Sequence, residues 1–326
     1  MRDYVADIQK PIEKEMKQFS VLFDSALSNT EGTLNMALSY IRQRTGKRMR
    51  PMLTILIAKA FGEVSECTYR AGVALELLHT ASLVHDDVVD RADERRGQSS
   101  INRMYDNRIA VLVGDYILST ALLNVSGTQN IGIVEVISHL GQTLANGEII
   151  QITSNGQEDI NEETYYKVIE QKTASLFEAC CVAGALSVGA SNEDVEAVRK
   201  FGNRVGQMFQ IRDDIFDYYE TSKIGKPTGN DMREGKLTLP AIHVLLSTKN
   251  EEMLAIAKRV KSLSATPEEI ASLVTFTKQN GGIEYAEKAM HRLHDDALSF
   301  INERVGDSDI KQSLRYYIDY CIDRQF

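Results

Sequence analysis

Asp86, Asp87 and Asp90 close the stretch LLHTASLVHDDVVD, and Asp213, Asp214 and Asp217 close FQIRDDIFD, so one three-carboxylate spacing ends two apolar runs. On a helix, the first and third members share a face one turn apart, and the middle one sits at its edge. Hard oxygen donors in that arrangement suit Mg2+, which takes one or two carboxylates and completes its shell with water and phosphate oxygens. A solvated acidic helix end explains a single copy as well, but chance supplies two copies rarely. Asp295 and Asp296 lack the third member and read as plain surface charge. If both triplets faced one cavity, charges about 4 Å apart would repel by about 4 kcal/mol at an effective dielectric of roughly 20. Divalent cations would relieve that repulsion.

Cationic groups bracket both triplets. Lys47, Arg48 and Arg50 surround the start of a helix whose first residue reads as Pro51, and a helix N-terminus reinforced by cations is an anion site. Arg95 and Arg96 follow the first triplet; Lys223, Lys226, Arg233 and Lys236 follow the second, in TSKIGKPTGNDMREGKLTLP. Lys172 and Thr173 open the apolar run QKTASLFEA. Each one alone reads as a solvated charge, whereas their joint placement points to a site that handles diphosphate.

The elements that must position these groups are helices. Five prolines in 326 residues leave long segments of helical period, with Val73, Leu77, Val84 and Val88 on one stripe and Val198, Phe201, Val205 and Phe209 on another. No alternating β-branched run competes, so the chain reads as all-α. Thr266 to Glu269, TPEE, forms a capping box with proline at the first helical position. No low-complexity linker interrupts residues 1–326, which read as one domain, with the repeated triplet hinting at an old duplication.

A net charge of −9 argues against nucleic acid as a partner. Four cysteines without metal-type spacing suggest reduced thiols and a cytoplasmic protein, and the charged N-terminus lacks the apolar core of a signal peptide. The most apolar segment, Ile109 to Val125, contains Asp115 and reads as a buried core helix rather than a transmembrane span; a buried Asp115 would need a partner. His79, on an apolar helix, reads by itself as a core histidine.

GKRMRP, LVHDDVVDRADERRG, GDYILS, QKTASLF, FQIRDDIFDY and GKPTGNDMREGKLTLP follow one another in the order of the signatures of trans-isoprenyl diphosphate synthases. The chain resembles that family nearly end to end, departing at Thr45, where the family often has a second glycine. The resemblance implies an isoprenoid synthase-type bundle of long helices around a central cavity, condensing isopentenyl diphosphate with an allylic diphosphate. It implies that Asp86, Asp90, Asp213 and Asp217 hold about three Mg2+ ions, with Asp87 and Asp214 as further ligands or supports. Arg95, Lys172 and Lys226 would grip the allylic diphosphate, and Lys47, Arg50, His79 and Arg96 the isopentenyl diphosphate. Thr173 and Gln210 would turn oxygen dipoles toward the allylic cation, and the segment from Lys223 to Lys236 would close over the site.

The resemblance also implies that product length is set by the residues before Asp86, where bulky aromatics stop the family at short products; helical side chains lean toward the N-terminus, so these residues would line the cavity beneath the metals. Ala81 and Ser82 are small, and the next bulky residue, Leu78, lies about 12 Å below Asp86 by helical rise. The expectation is a long chain, hexaprenyl or heptaprenyl, of the kind used for quinone side chains such as menaquinone. Within that family the chain resembles the catalytic larger component of two-component hexaprenyl and heptaprenyl synthases, which implies a small non-catalytic partner in a heterodimer, with a homodimer as the competing assembly. The rivals are a geranylgeranyl diphosphate synthase, a terpene cyclase and a non-catalytic prenyl-binding subunit. A cyclase would mix Asn, Ser or Thr into its second triplet, and a non-catalytic subunit would have lost ligands.

Overall fold

No proline interrupts the chain between Pro51 and Pro227, and helices of up to 25 residues occupy that stretch. The computed structural model describes residues 3–28, 31–43, 46–95, 97–154, 160–219 and 228–324. The chain first forms α1 (Tyr4–Gln9), α2 (Glu13–Ala26), α3 (Gly32–Gln43), α4 (Met49–Phe61) and α5 (Glu66–Val89). A two-residue hairpin, β1 (Glu94–Arg95) and β2 (Gln98–Ser99), leads to α6 (Ile101–Met104) and α7 (Asn107–Ser126). After α8 (Ile131–Ser154) and α9 (Glu162–Ile169), a π-helical turn (Glu170–Ala174) precedes α10 (Ser175–Leu186) and α11 (Asn192–Phe216). The remainder is α12 (Asn230–Arg233), α13 (Leu239–Thr248), α14 (Glu251–Lys261), α15 (Pro267–Gln279), α16 (Gly282–Arg304) and α17 (Ser308–Asp323). The all-α expectation holds, the small hairpin apart.

The helices gather into two compact units. The first comprises Met1–Gly141, Leu176–Gly202 and Phe300–Tyr317. Within it α5 is the central rod, packed by α2, α4 and α7. Leu53, Leu56, Leu77, Ile117 and Phe177 are at most 1% exposed there, each removing a large side chain from water at roughly 1.5–3 kcal/mol. Helix α4 starts two residues earlier than Pro51, because Arg48 takes the left-handed conformation (φ 50°) and its carbonyl accepts from Met52 N.

Helix α7 departs from the expectation of a buried core helix. Ala110, Val113, Gly114, Ile117 and Ala121 are buried, but Leu112 is 63% and Leu123 73% exposed. A helix apolar all round needs cover all round, and α7 has it on one side only. Asp115 lies on the uncovered side and is exposed, not buried. Among the described residues, α7 is the one helix long and apolar enough to cross a membrane.

The second unit comprises Gln142–Ser175, Asn203–Ser299 and Ile318–Phe326. Here α13 packs on α9 and α15, and α12 on α14 and α15. The TPEE box is formed as expected: Thr266 Oγ1 accepts from Glu269 N, and Glu269 Oε2 accepts from Thr266 N at 3.0 Å.

Candidate active site

The first triplet sits in the first unit, where α5 ends. Asp86 is half-buried, Asp90 is the exposed C-cap, and Asp87 is 4% exposed. Burial of a carboxylate requires compensation. Asp87 Oδ1 accepts from Arg95 Nε at 2.7 Å, so the hairpin after the helix folds its arginine back onto the middle aspartate. Asp87 O accepts from Ala92 N, and Ala92 O from Ser100 Oγ, which tie both ends of the hairpin to the helix terminus. Arg95, expected on a diphosphate, therefore supports the triplet in this state; Arg96 lies outside the described residues.

Asp115, for which the sequence offers no partner, faces His85: Nε2 stands 3.3 Å from Asp115 Oδ1 and 3.3 Å from Val111 O. The ring fits because residue 114 of the GDYILS signature is glycine, where a Cβ would meet Nε2 at 2.2 Å. His79 is half-buried in α5. Ala81 is 2% and Leu78 5% exposed, and Ser82 spends its hydroxyl on His79 O at 2.9 Å. Lys47 is exposed ahead of α4, whereas Arg50 lies with its guanidinium 5.3 Å from the centre of the Phe177 ring. The buried Arg50 Nε has no hydrogen-bond partner among the described residues.

The second triplet sits in the second unit, at the end of α11, and its members have three different surroundings. Asp213 Oδ1 accepts from Arg324 Nη2 at 2.5 Å. Asp214, 4% exposed, accepts from Tyr165 Oη at 2.5 Å on Oδ2 and from Gln210 Nε2 at 2.8 Å on Oδ1. Asp217 lies just past the helix; Oδ1 accepts from Asn230 N at 2.9 Å and Oδ2 from Asp231 N at 3.0 Å. Its carbonyl accepts from Gly229 N at 2.8 Å, so Asp217 grips three consecutive residues. Gly229 has φ 76°, and a Cβ there would press within 2.8 Å of Ile270 Cγ2, so only glycine fits.

Burial is the main cause of a raised pKa at all three of Asp214, Asp217 and Asp231. The Asp231 charge lifts Asp214 further, and the Asp217 charge helps carry Asp231 to about 7. At Asp217 the two backbone N–H groups oppose the rise.

Lys172 and Thr173 lie on the π turn, a feature common at functional positions. Helix α8 approaches it through Gly147, where a Cβ would come within 3.2 Å of Lys172 N. Lys172 Nζ is held by Glu148 Oε2 at 2.5 Å and Gln151 Oε1 at 3.1 Å. Thr173 Oγ1 donates to Gln210 Oε1 at 2.7 Å. Lys236 pairs with Glu234 at 2.6 Å, while Lys223 and Lys226 lie outside the described residues.

The family model for polyprenyl synthetase matches residues 31–276. The chain is 34% identical over 303 residues to heptaprenyl diphosphate synthase component 2 of Geobacillus stearothermophilus, covering 90% of this chain and 91% of that one. The chain belongs to the polyprenyl synthetase family. A geranylgeranyl pyrophosphate synthase structure from Bacteroides thetaiotaomicron is 43% identical, with a TM-score of 0.87 over 99% of this chain and 100% of that one. A polyprenyl synthase from Caulobacter crescentus, solved with calcium and isoprenyl diphosphate, is 27% identical, with a TM-score of 0.90 over 98% of each chain. This polyprenyl synthetase is thus a prenyltransferase with the all-α isoprenoid synthase fold.

The donor set of the synthase suits a divalent cation. Among the described residues no three His, Cys, Asp or Glu side chains stand together closely enough to enclose an ion. Half-buried Asp86 and exposed Asp90 instead offer hard oxygens on an open face, the kind of partial shell that Mg2+ completes with substrate phosphate. Sequence reasoning singled out neither Tyr165 nor Asp231. Asp231 stands inside the quoted GKPTGNDMREGKLTLP signature, where its charge was the only clue; Tyr165 carried no signal, since a tyrosine on a helical stripe reads as core.

Proposed function

We propose that this enzyme extends farnesyl diphosphate with successive isopentenyl units to an all-trans hexaprenyl or heptaprenyl diphosphate that becomes a quinone side chain. Residues 1–326 act as one catalytic domain in the cytoplasm, with both aspartate triplets serving a single reaction. The observation that carries the long product is the pair Ala81 and Ser82, immediately before the first triplet. Ala81 is buried, and Ser82 turns its hydroxyl back to its own helix, so neither places bulk there.

Asp86, Asp90 and Asp213 hold Mg2+ in this reading, with Asp87, Asp214 and Asp217 as the carboxylates that fix their surroundings. The bound ions supply charge that stabilises the departing pyrophosphate. Lys172 and Lys226 bind the allylic diphosphate, Arg95 orients Asp87, and Lys236 lies at the base of the closing segment. Lys47, Arg50, His79 and Arg96 bind isopentenyl diphosphate; the unpartnered Arg50 Nε supports that role. Thr173 presents its oxygen to the allylic cation, and the isopentenyl double bond attacks that carbon, with the proton lost to the pyrophosphate.

A small non-catalytic partner completes the assembly, with a second copy of this chain as the rival. The designation of the Geobacillus relative as component 2 supports a partner, as does the apolar face of α7 with Leu112, Leu122 and Leu123 exposed. A geranylgeranyl product is the second reading, favoured by buried Leu78 and Leu75 further down α5 and by the 43% identical Bacteroides structure.

The test supplies Mg2+, isopentenyl diphosphate and farnesyl diphosphate, with and without a candidate small subunit, and sizes the products. Six or seven isoprene units are expected with the subunit present. Elongation by this chain alone that stops at four units overturns the long product, and no elongation in either mixture overturns the synthase reading.

A further inference from the structure

The side chains that bond across α9, the π turn and α11 form a short ladder. Tyr165 Oη donates to Asp214 Oδ2 (2.5 Å), Gln210 Nε2 donates to Asp214 Oδ1 (2.8 Å), and Thr173 Oγ1 donates to Gln210 Oε1 (2.7 Å). Gln210 and Asp214 are four residues apart and therefore share a face of α11. Tyr165 and Thr173 are eight apart, which on a plain α-helix would leave them about 80° out of line. The extra residue taken up by the π turn winds back about 100°, returning both to nearly the same side.

The ladder has a sign. Both carboxyl oxygens of Asp214 act as acceptors, Oδ2 for Tyr165 Oη and Oδ1 for the Gln210 amide NH2, which leaves the amide oxygen to face Thr173. Thr173 then has to donate its single proton to Gln210, and its remaining lone pairs are what it can offer to anything else. That is the polarity a developing carbocation needs; the reverse amide orientation would let Thr173 turn its proton outward instead. Asp214 is 4% exposed, so bulk solvent is a poor substitute for the tyrosine hydroxyl at Oδ2. Without it Oδ2 loses the donor that fixes the carboxyl's rotation, and the amide loses its reason to face one way.

We propose that Tyr165 is a positioning residue for the condensation: through Asp214 it sets the orientation of the Gln210 amide, and through that amide the direction of the Thr173 hydroxyl. The proposal rests on the synthase reading for its catalytic consequence. It also gives Asp214 a part in orienting a dipole, through one bond on each of its oxygens.

The test is Tyr165→Phe, which keeps the ring and removes the hydroxyl. About a tenfold fall in kcat is expected, as one transition-state interaction is weakened, with KM for both diphosphates changed by less than about twofold. A residue that merely packs the core would leave kcat unchanged or lower it independently of Thr173. The double-mutant cycle separates the two: in a Thr173→Ala background, Tyr165→Phe should cost less than about threefold. Full multiplicative losses would overturn the link. A second readout needs no activity: the side-chain amide of Gln210, identified by its disappearance in Gln210→Ala, should shift and exchange faster with solvent in Tyr165→Phe. An unmoved amide signal overturns the proposal. If the unmodified chain elongates nothing, the synthase reading falls while the amide readout still decides the Tyr165 link.

Discussion

A Cβ on Gly114 would stand 2.2 Å from His85 Nε2, so the glycine of α7 is the seat for the imidazole that immediately precedes Asp86. An interior helical glycine replaced by alanine ordinarily gains about 0.5–1 kcal/mol. In Gly114→Ala the ring has to leave, losing its approach to Asp115 and Val111 O and disturbing the end of α5. Thermal melts should show no gain or a loss, and kcat should fall by roughly tenfold. A more stable variant with unchanged turnover would show that the His85 seat is irrelevant to the triplet.

Arg95 is the cation that keeps Asp87 buried, and removing it leaves a carboxylate with 4% exposure uncompensated. Arg95→Met should therefore destabilise the protein by about 3 kcal/mol, at the low end for a broken buried pair because Arg95 is itself 32% exposed. Adding Asp87→Asn should restore part of the loss, since the stranded charge is then gone. Urea unfolding of the two variants measures both, and an Arg95→Met midpoint equal to the parent's would discount the pair.

Asp213 and Asp217 share a motif but should fail differently. Asp213→Asn is expected to lower kcat at least about a hundredfold while leaving the backbone undisturbed. Asp217→Ala strips the acceptors from Asn230 N and Asp231 N. Hydrogen exchange at those two amides should rise about fivefold, in keeping with the roughly 1 kcal/mol worth of a cap. Unchanged exchange there would mean that Asp217 is not the clip that holds Gly229 to Asp231.

Stability of the metal-free protein should depend on pH through Asp231, whose pKa rises from an ordinary 3.8 to about 7, chiefly by burial and then by the Asp217 charge. The folded chain thus keeps a proton that the unfolded chain releases. That contribution is complete below the unfolded value and is lost as pH rises through about 7. In chelator, the melting temperature should be higher at pH 6 than at pH 8, and Asp231→Asn should flatten the difference. A higher melting temperature at pH 8 would reverse the assignment.

The thiols should divide into one reactive and three inert groups. Burial pushes Cys180 and Cys321 up to about 12 and Cys181 upward as well, whereas Cys67 is only half-buried. At pH 8 a group with pKa near 12 is thiolate in about one molecule in ten thousand, and the thiolate is the nucleophile. Titration with a disulfide reagent should find one slow thiol in the native protein and four after unfolding. Rapid reaction of more than one before unfolding would contradict the burial.

The helical class, the capping box at Thr266 and the two acidic helix ends were legible from local pattern, because helix periodicity and cap chemistry act over only a few residues. The cover on α7 was not. Its composition is apolar on every side, and only tertiary packing decides that α5 takes the face with Ile117 while Leu112 and Leu123 are left uncovered by this chain's described residues. The partner of Asp115 was equally hidden, since His85 lies 30 positions away and reaches it only because two helices approach closely at a glycine.

By itself the sequence determined which residue types recur at which spacing, and hence the carboxylate chemistry and the family to which that order of motifs belongs. The tertiary structure decided how the three aspartates of one motif divide their work: Asp213 meets Arg324, Asp214 is enclosed by Tyr165 and Gln210, and Asp217 holds the backbone at Asn230 and Asp231. The physical reason is that spacing along a helix sets only the direction of a side chain. What a carboxylate does depends on the donors, charges and solvent that distant parts of the chain bring to it.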